Sequence, residues 1–125
     1  MPLSPGLHGS AKLIVTDDDT AIALRSGDVP VLGTPRLIAL MEEAALGAVA
    51  DHLPVGHTTV GMRVQVDHLA PTNVGSRVAA EATLERIEGR RLTFTVLVND
   101  HCGLVAAGKV TRVIVETERF LDKAR

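Results

Sequence analysis

Apolar residues along this chain follow two rhythms. From Thr34 to Asp51 (TPRLIALMEEAALGAVAD) they recur at about 100° per residue, the signature of a helix; from Thr58 onward they alternate with a period of two, the signature of half-buried strands. Pro35 suits a first helical position, and Thr34 before it suits the N-cap, where its hydroxyl would accept an orphan amide. Around the helix, Arg36, Glu43, Gly47 and Asp51 share one sector, and Ile38, Ala45 and Val49 share the opposite one. Glu42 falls with the apolar set. A carboxylate there is costly unless it is paired or hydrogen-bonded, so Glu42 calls for an explanation that Glu43 does not.

Before the helix, Ala11 to Thr16 reads as a short strand, Asp17 to Asp19 as a solvated turn rather than a metal site, and Ala21 to Leu24 as a second short strand. Ser26 to Gly33, punctuated by Gly and Pro, is a loop feeding the helix. After it, Pro54 and Gly56 end the helical pattern. Thr58 to Ala70 then alternates, with Val60, Met62, Val64, Val66 and His68 on one face, taken as inward. Past a turn at Pro71 to Gly75, Arg77 to Glu88 puts Val78, Ala80, Ala82 and Leu84 inward. Ile87 breaks that parity, and a bulge near Glu85 restores it. Glu88 to Arg90 is a hairpin turn into Leu92, Phe94, Val96 and Val98. A further turn at Asp100 to Gly103 leads to a last strand, Leu104 to Glu116, and a polar tail with a helical turn or two.

One long helix, one or two strands before it and four after it, describe an α+β hotdog arrangement, an antiparallel sheet wrapped around a single central helix. The expected organisation is a loosely ordered arm over 1–10 and one domain over 11–125. A sheet of this kind leaves an edge that one subunit does not cover, so a homodimer with a continuous sheet is expected.

Composition narrows the partners. The 13 basic and 15 acidic residues show no run of one sign beyond the three aspartates, which gives no electrostatic footprint for nucleic acid or a membrane surface. Aromatics are limited to Phe94 and Phe120, too few for a base-stacking platform. With one cysteine, Cys102, and no charged-then-apolar leader or long apolar span, a cytoplasmic protein is expected. His8, His52, His57 and His101 lack paired ligand spacing, so no metal is expected, and Cys102 in its turn is a poor candidate for a catalytic thiol.

The chemistry gathers at three residues. Glu42 faces inward from the helix and His68 from the following strand, and a carboxylate beside an imidazole in a partly dry cleft is an acid/base pair. Thr34 adds a hydroxyl at the helix N-terminus, where the positive end of the dipole favours an oxygen gaining negative charge. Thr34 and Glu42, however, are eight residues apart, about 12 Å along a helix. Either Thr34 sits in a folded-back turn or the site is assembled between two subunits with His68 bridging; the intersubunit cleft is the preferred reading.

These residues also carry a resemblance. G-T-x7-E across Gly33, Thr34 and Glu42, the VQVDHLAPTNVG segment around His68, the spacing of twenty-six from Glu42 to His68, and VAAEATLERIEGRRLTF from Val78 resemble the hotdog thioesterases, most closely the fluoroacetyl-CoA thioesterase group. Gly61, seven before His68, and Arg112 in KVTRVIV fall in step with it. The resemblance implies that Thr34, Glu42 and His68 form the catalytic set of an acyl-CoA thioesterase, with Gly61 and Gly33 at the substrate and no cofactor beyond the coenzyme A of the substrate. That family's fluoroacetyl specialist carries aromatic residues in a lid before the threonine. Val29 to Gly33 (VPVLG) has none, which argues against fluoroacetyl specificity.

The reaction expected is hydrolysis of a small acyl-CoA: Thr34 holds the thioester carbonyl, Glu42 activates water or attacks directly, and His68 shuttles the proton. Two other readings stay open on the same fold, a non-catalytic module that binds acyl thioesters or an acyl carrier, and a hydratase or dehydratase. Arg77, Arg90, Arg91 and Arg112 receive no role, since arginines on strand edges are more often solvated.

Overall fold

The computed structural model describes residues 2–124. Strand β1 is His8–Ile14. Helix α1 is Ala21–Leu24, and helix α2 is Thr34–Val49 with a 3-10 turn, Ala50–His52, continuing it. Strands β2 (His57–His68), β3 (Arg77–Glu88), β4 (Arg91–Asp100) and β5 (Gly103–Glu116) follow, and helix α3 (Thr117–Leu121) ends the series. The strands form one antiparallel sheet in the order β1-β3-β4-β5-β2, curled around α2 as the hotdog arrangement requires.

The core matches the alternation in β3 and β4. Val78, Ala80, Ala82 and Leu84 face Leu92, Phe94, Val96 and Val98, all 1% exposed or less. The register shifts between Leu84 and Arg86, the bulge expected near Glu85, and Ile87 turns back toward the core. From α2, Leu37, Leu40, Met41, Ala44, Ala45, Ala48 and Val49 are buried against this face. The helix lies chiefly over β1 and β3, which leaves the concave side of β5 and β2 thinly covered.

Three expectations need correction. Ala21 to Leu24 is a helical turn, not a strand: the Thr20 hydroxyl caps it by accepting from the Ala23 amide at 3.2 Å, and Arg25 ends it in the left-handed region at φ 61°. The first strand starts three residues before Ala11, and the backbone of Gly6 and Leu7 already bonds to Leu84, so the end of the arm expected over 1–10, from His8 on, belongs to the sheet. Its Gly and Ser hid the strand, yet Gly9 is there because α2 passes so closely that a Cβ would collide with the backbone of Ala44 and Ala48. The third concerns β2, whose parity inverts in mid-strand. The register slips at Met62, so Thr59 and Gly61 face inward before the bulge and Val64, Val66 and His68 after it, while Met62 is exposed.

Candidate active site

The start of α2 is built from the acidic turn before it. Asp17–Asp19 form a 3-10 turn, and the Asp19 carboxylate accepts from the Thr16 amide and hydroxyl, both at 2.8 Å, and pairs with Arg36 at 3.4 Å. Burial raises the Asp19 pKa, but these hydrogen bonds and the Arg36 charge more than offset it, and the net shift is downward. The Asp19 carbonyl accepts from the Gly33 amide at 2.8 Å. Gly33, not Thr34, is the N-cap: its carbonyl receives the Arg36 and Leu37 amides. Thr34 is thereby the first helical residue, and its hydroxyl is released from capping.

That hydroxyl meets His68. Thr34 Oγ1 lies 2.8 Å from His68 Nδ1, bringing the start of α2 to the end of β2 within one chain. His68 Nε2 is buried with no partner among the described residues. Burial lowers the His68 pKa from 6.5, with the Ala70 backbone opposing, so the imidazole is neutral at pH 7. Thr34 and His68 line an open cleft of about 310 Å³, whose other walls include Val29, Val31, Leu32 and Leu69. Its lining holds no aromatic side chain, as the lid sequence implies.

Glu42 is somewhere else in the chain. Its Oε2 takes Arg112 Nη1 at 3.0 Å, and Arg112 is anchored by donating from Nε to the Thr59 hydroxyl at 2.9 Å and from Nη2 to the Thr59 carbonyl at 2.8 Å. The Arg112 side chain is 8% exposed and that of Glu42 34%. Burial pulls the Arg112 pKa down and the Glu42 charge pushes it back up. Gly61, paired with Arg112 across β2 and β5, sits under the carboxylate, where a Cβ would collide with Oε2. The structure thus makes two pairs, Thr34 with His68 and Glu42 with Arg112, and among the described residues no hydrogen bond or ion pair joins Glu42 to His68. Gly33 is buried, its amide is committed to Asp19, and it does not line the cleft.

Arg112, which falls in step with the resemblance but receives no role from the sequence, gains one here: Val110, Arg112 and Ile114 alternate on one face of β5 and place it inward opposite Gly61. Asp100, His101 and Cys102 also bring ligand atoms within 4.8 Å of one another, a grouping the spacing argument did not weigh. The Asp100 oxygens there accept from the Cys102 amide of the same turn at 2.8 Å and from the Thr72 hydroxyl of the segment before β3 at 3.4 Å.

Solved structures that share this fold define the class. The fluoroacetyl-CoA thioesterase FlK superposes with a TM-score of 0.94 at 27% identity, covering 100% of this chain and 97% of that one. A thioesterase superfamily member from Thermus thermophilus matches with a TM-score of 0.90 at 26% identity, over 98% of this chain and 90% of that one. The chain is therefore a thioesterase of the hotdog fold. The particular family follows from sequence. The fluoroacetyl-CoA-specific thioesterase model matches residues 15–118, and the fluoroacetyl-CoA thioesterase of Streptantibioticus cattleyicolor is 34% identical over 95 residues, 76% of this chain and 68% of that protein. The chain belongs to the fluoroacetyl-CoA-specific thioesterase family, and the resemblance drawn from its motifs holds.

Proposed function

We propose that the protein hydrolyses a small acyl-CoA thioester to the free acid and coenzyme A, with Thr34, Glu42 and His68 as the catalytic set. The 2.8 Å contact between Thr34 and a neutral His68, inside an open aliphatic cleft, carries this reading. A hydroxyl at a helix start, backed by an imidazole able to take or give a proton, suits a carbonyl oxygen that gains charge as the C–S bond is attacked. Glu42, oriented by Arg112, activates the attacking water or attacks the carbonyl itself. Attack forms a C–O bond, the C–S bond breaks, and the leaving thiolate takes through His68 a proton that comes from water. On the direct route a water molecule then cleaves the acyl–Glu42 anhydride to the free acid and restores the carboxylate.

The reading is intersubunit. Glu42 and His68 are engaged at separate places in one chain, His68 Nε2 lacks a partner, β2 is an unpaired edge, and the concave side of β2 and β5 is thinly covered. Pairing of β2 with β2 of a second copy covers that side and brings the Glu42 end of one subunit to the His68 end of the other. Among the described residues no helix is long and apolar enough to cross a membrane, and the reading assigns the enzyme to the cytoplasm, where a free Cys102 is at home.

Incubating the protein with saturated and unsaturated acyl-CoAs and a thiol reagent tests the reaction, since only hydrolysis frees the thiol. Thiol release is expected, and it falls by about 10² or more in Glu42→Gln and in His68→Ala. Turnover within a few-fold of wild type in either variant contradicts the assignment. Recovery of an acyl group on Glu42 separates direct attack from water activation.

A further inference from the structure

The thioesterase reading leaves unassigned what grips the far end of coenzyme A. At the opposite end of β2 from His68 lies a second hollow, about 140 Å³, walled by His57, Arg90, Glu116, Arg119, Phe120 and Lys123. Arg90, Arg119 and Lys123 set three full positive charges against one carboxylate, and among the described residues none of the three is ion-paired. The frame holding them is fixed by backbone bonds: the Arg90 carbonyl accepts from Ile114 at 2.8 Å, and the Thr117 amide at the start of α3 donates to Gly56 at 2.9 Å. Phe120 is 39% exposed, whereas the other aromatic, Phe94, is fully buried. Unpaired cations around an exposed ring are the recognition elements for phosphate groups and a purine.

The position fits the substrate. His57, Thr59 and Gly61 share the inward face of β2, because the register slip comes only at Met62. At about 3.3 Å per residue, His57 is about 13 Å from Gly61, where the Glu42 carboxylate sits. A pantetheine arm of about a dozen bonds spans roughly 16 Å from its sulfur to the diphosphate at peptide-like bond lengths. A thioester held at Glu42 thus reaches the hollow with its phosphates.

We infer that the hollow formed by Arg90, Arg119, Lys123 and His57 around Phe120 binds the phosphorylated nucleotide end of the coenzyme A thioester, an inference that rests on the thioesterase reading. The phosphates meet the three cations and the adenine lies against the Phe120 ring. The site governs binding, not the chemical step.

Adenosine 3′,5′-bisphosphate, which has no thioester, is the direct probe, titrated calorimetrically into the full chain. Binding is expected, weakened tenfold or more in the double variant Arg119→Gln/Lys123→Gln and again in Arg90→Gln on the separate hairpin, with far-UV circular dichroism unchanged. In turnover, the variants raise KM for the acyl-CoA tenfold or more, keep kcat within twofold, and leave hydrolysis of the same acyl group on N-acetylcysteamine unchanged. Bisphosphate binding equal in wild type and both variants, or no binding by wild type, overturns the site. Bisphosphate binding that the variants lose, in a chain that hydrolyses no thioester, upholds the hollow as a nucleotide site and sinks the thioesterase reading instead.

Discussion

His68 shows how a single environment sets a residue's chemistry. Desolvation lowers its pKa from 6.5 in the folded chain, while the unfolded chain titrates at the ordinary value. The folded state therefore binds the proton less well, so His68 contributes stability above pH 6.5 that is lost as the pH falls through the folded pKa. Denaturation midpoints measured from pH 7.5 to 5 are expected to fall less steeply in His68→Gln than in wild type. The acid limb of kcat/KM is expected below pH 6.5, because only the neutral imidazole accepts a proton. An acid limb centred above 6.5 contradicts the burial argument. Gly61 is the second residue whose identity is dictated locally, since a Cβ there meets the Glu42 carboxylate. Gly61→Ala is expected to displace that carboxylate from Arg112 and lower kcat tenfold or more, with a smaller change in KM. Unchanged kcat places the working carboxylate elsewhere.

Among the elements, legibility followed how far each is governed by its own residues. β3 and β4 were legible down to the bulge after Leu84, because both carry an unbroken apolar face and Ile87 announces the shift. β2 was not: Val60, Met62 and Val64 continue one parity in sequence, and only the demand that Thr59 and Gly61 surround Arg112 moves Met62 out. Residue types single out Thr34, Glu42 and His68 as candidates, but the contact of Thr34 with His68 within one chain was not legible, because a spacing along the sequence does not say which end of β2 lies beside which end of α2. The helix cap moved by one residue for a similar reason, as the Asp19 carbonyl that fixes Gly33 comes from a turn fourteen residues earlier. β1 was half hidden because its small residues serve the close approach of α2. Gly9→Ala is expected to force strand and helix apart at a cost of about 1–3 kcal/mol, read as a lower denaturant midpoint with unchanged m-value. A midpoint equal to wild type means that the two elements separate freely.

For the whole molecule, sheet and helix alone explain burial but not completion of the site. A single chain holds a threonine and imidazole at one end of β2 and a carboxylate with its arginine several residues away, the unpaired β2 edge running between them. The proposed dimer joins these halves reciprocally, each copy giving its carboxylate to the other's imidazole. Mixing Glu42→Gln chains with His68→Ala chains under conditions that exchange subunits tests this most directly, with thioester hydrolysis as the readout. Each variant alone is expected to be inactive. Half of the dimers in an equal mixture pair one of each, and in these one of the two sites regains both groups, so turnover should recover to about a quarter of wild type. A mixture as inactive as its parents, with exchange confirmed, would contradict a site shared between subunits.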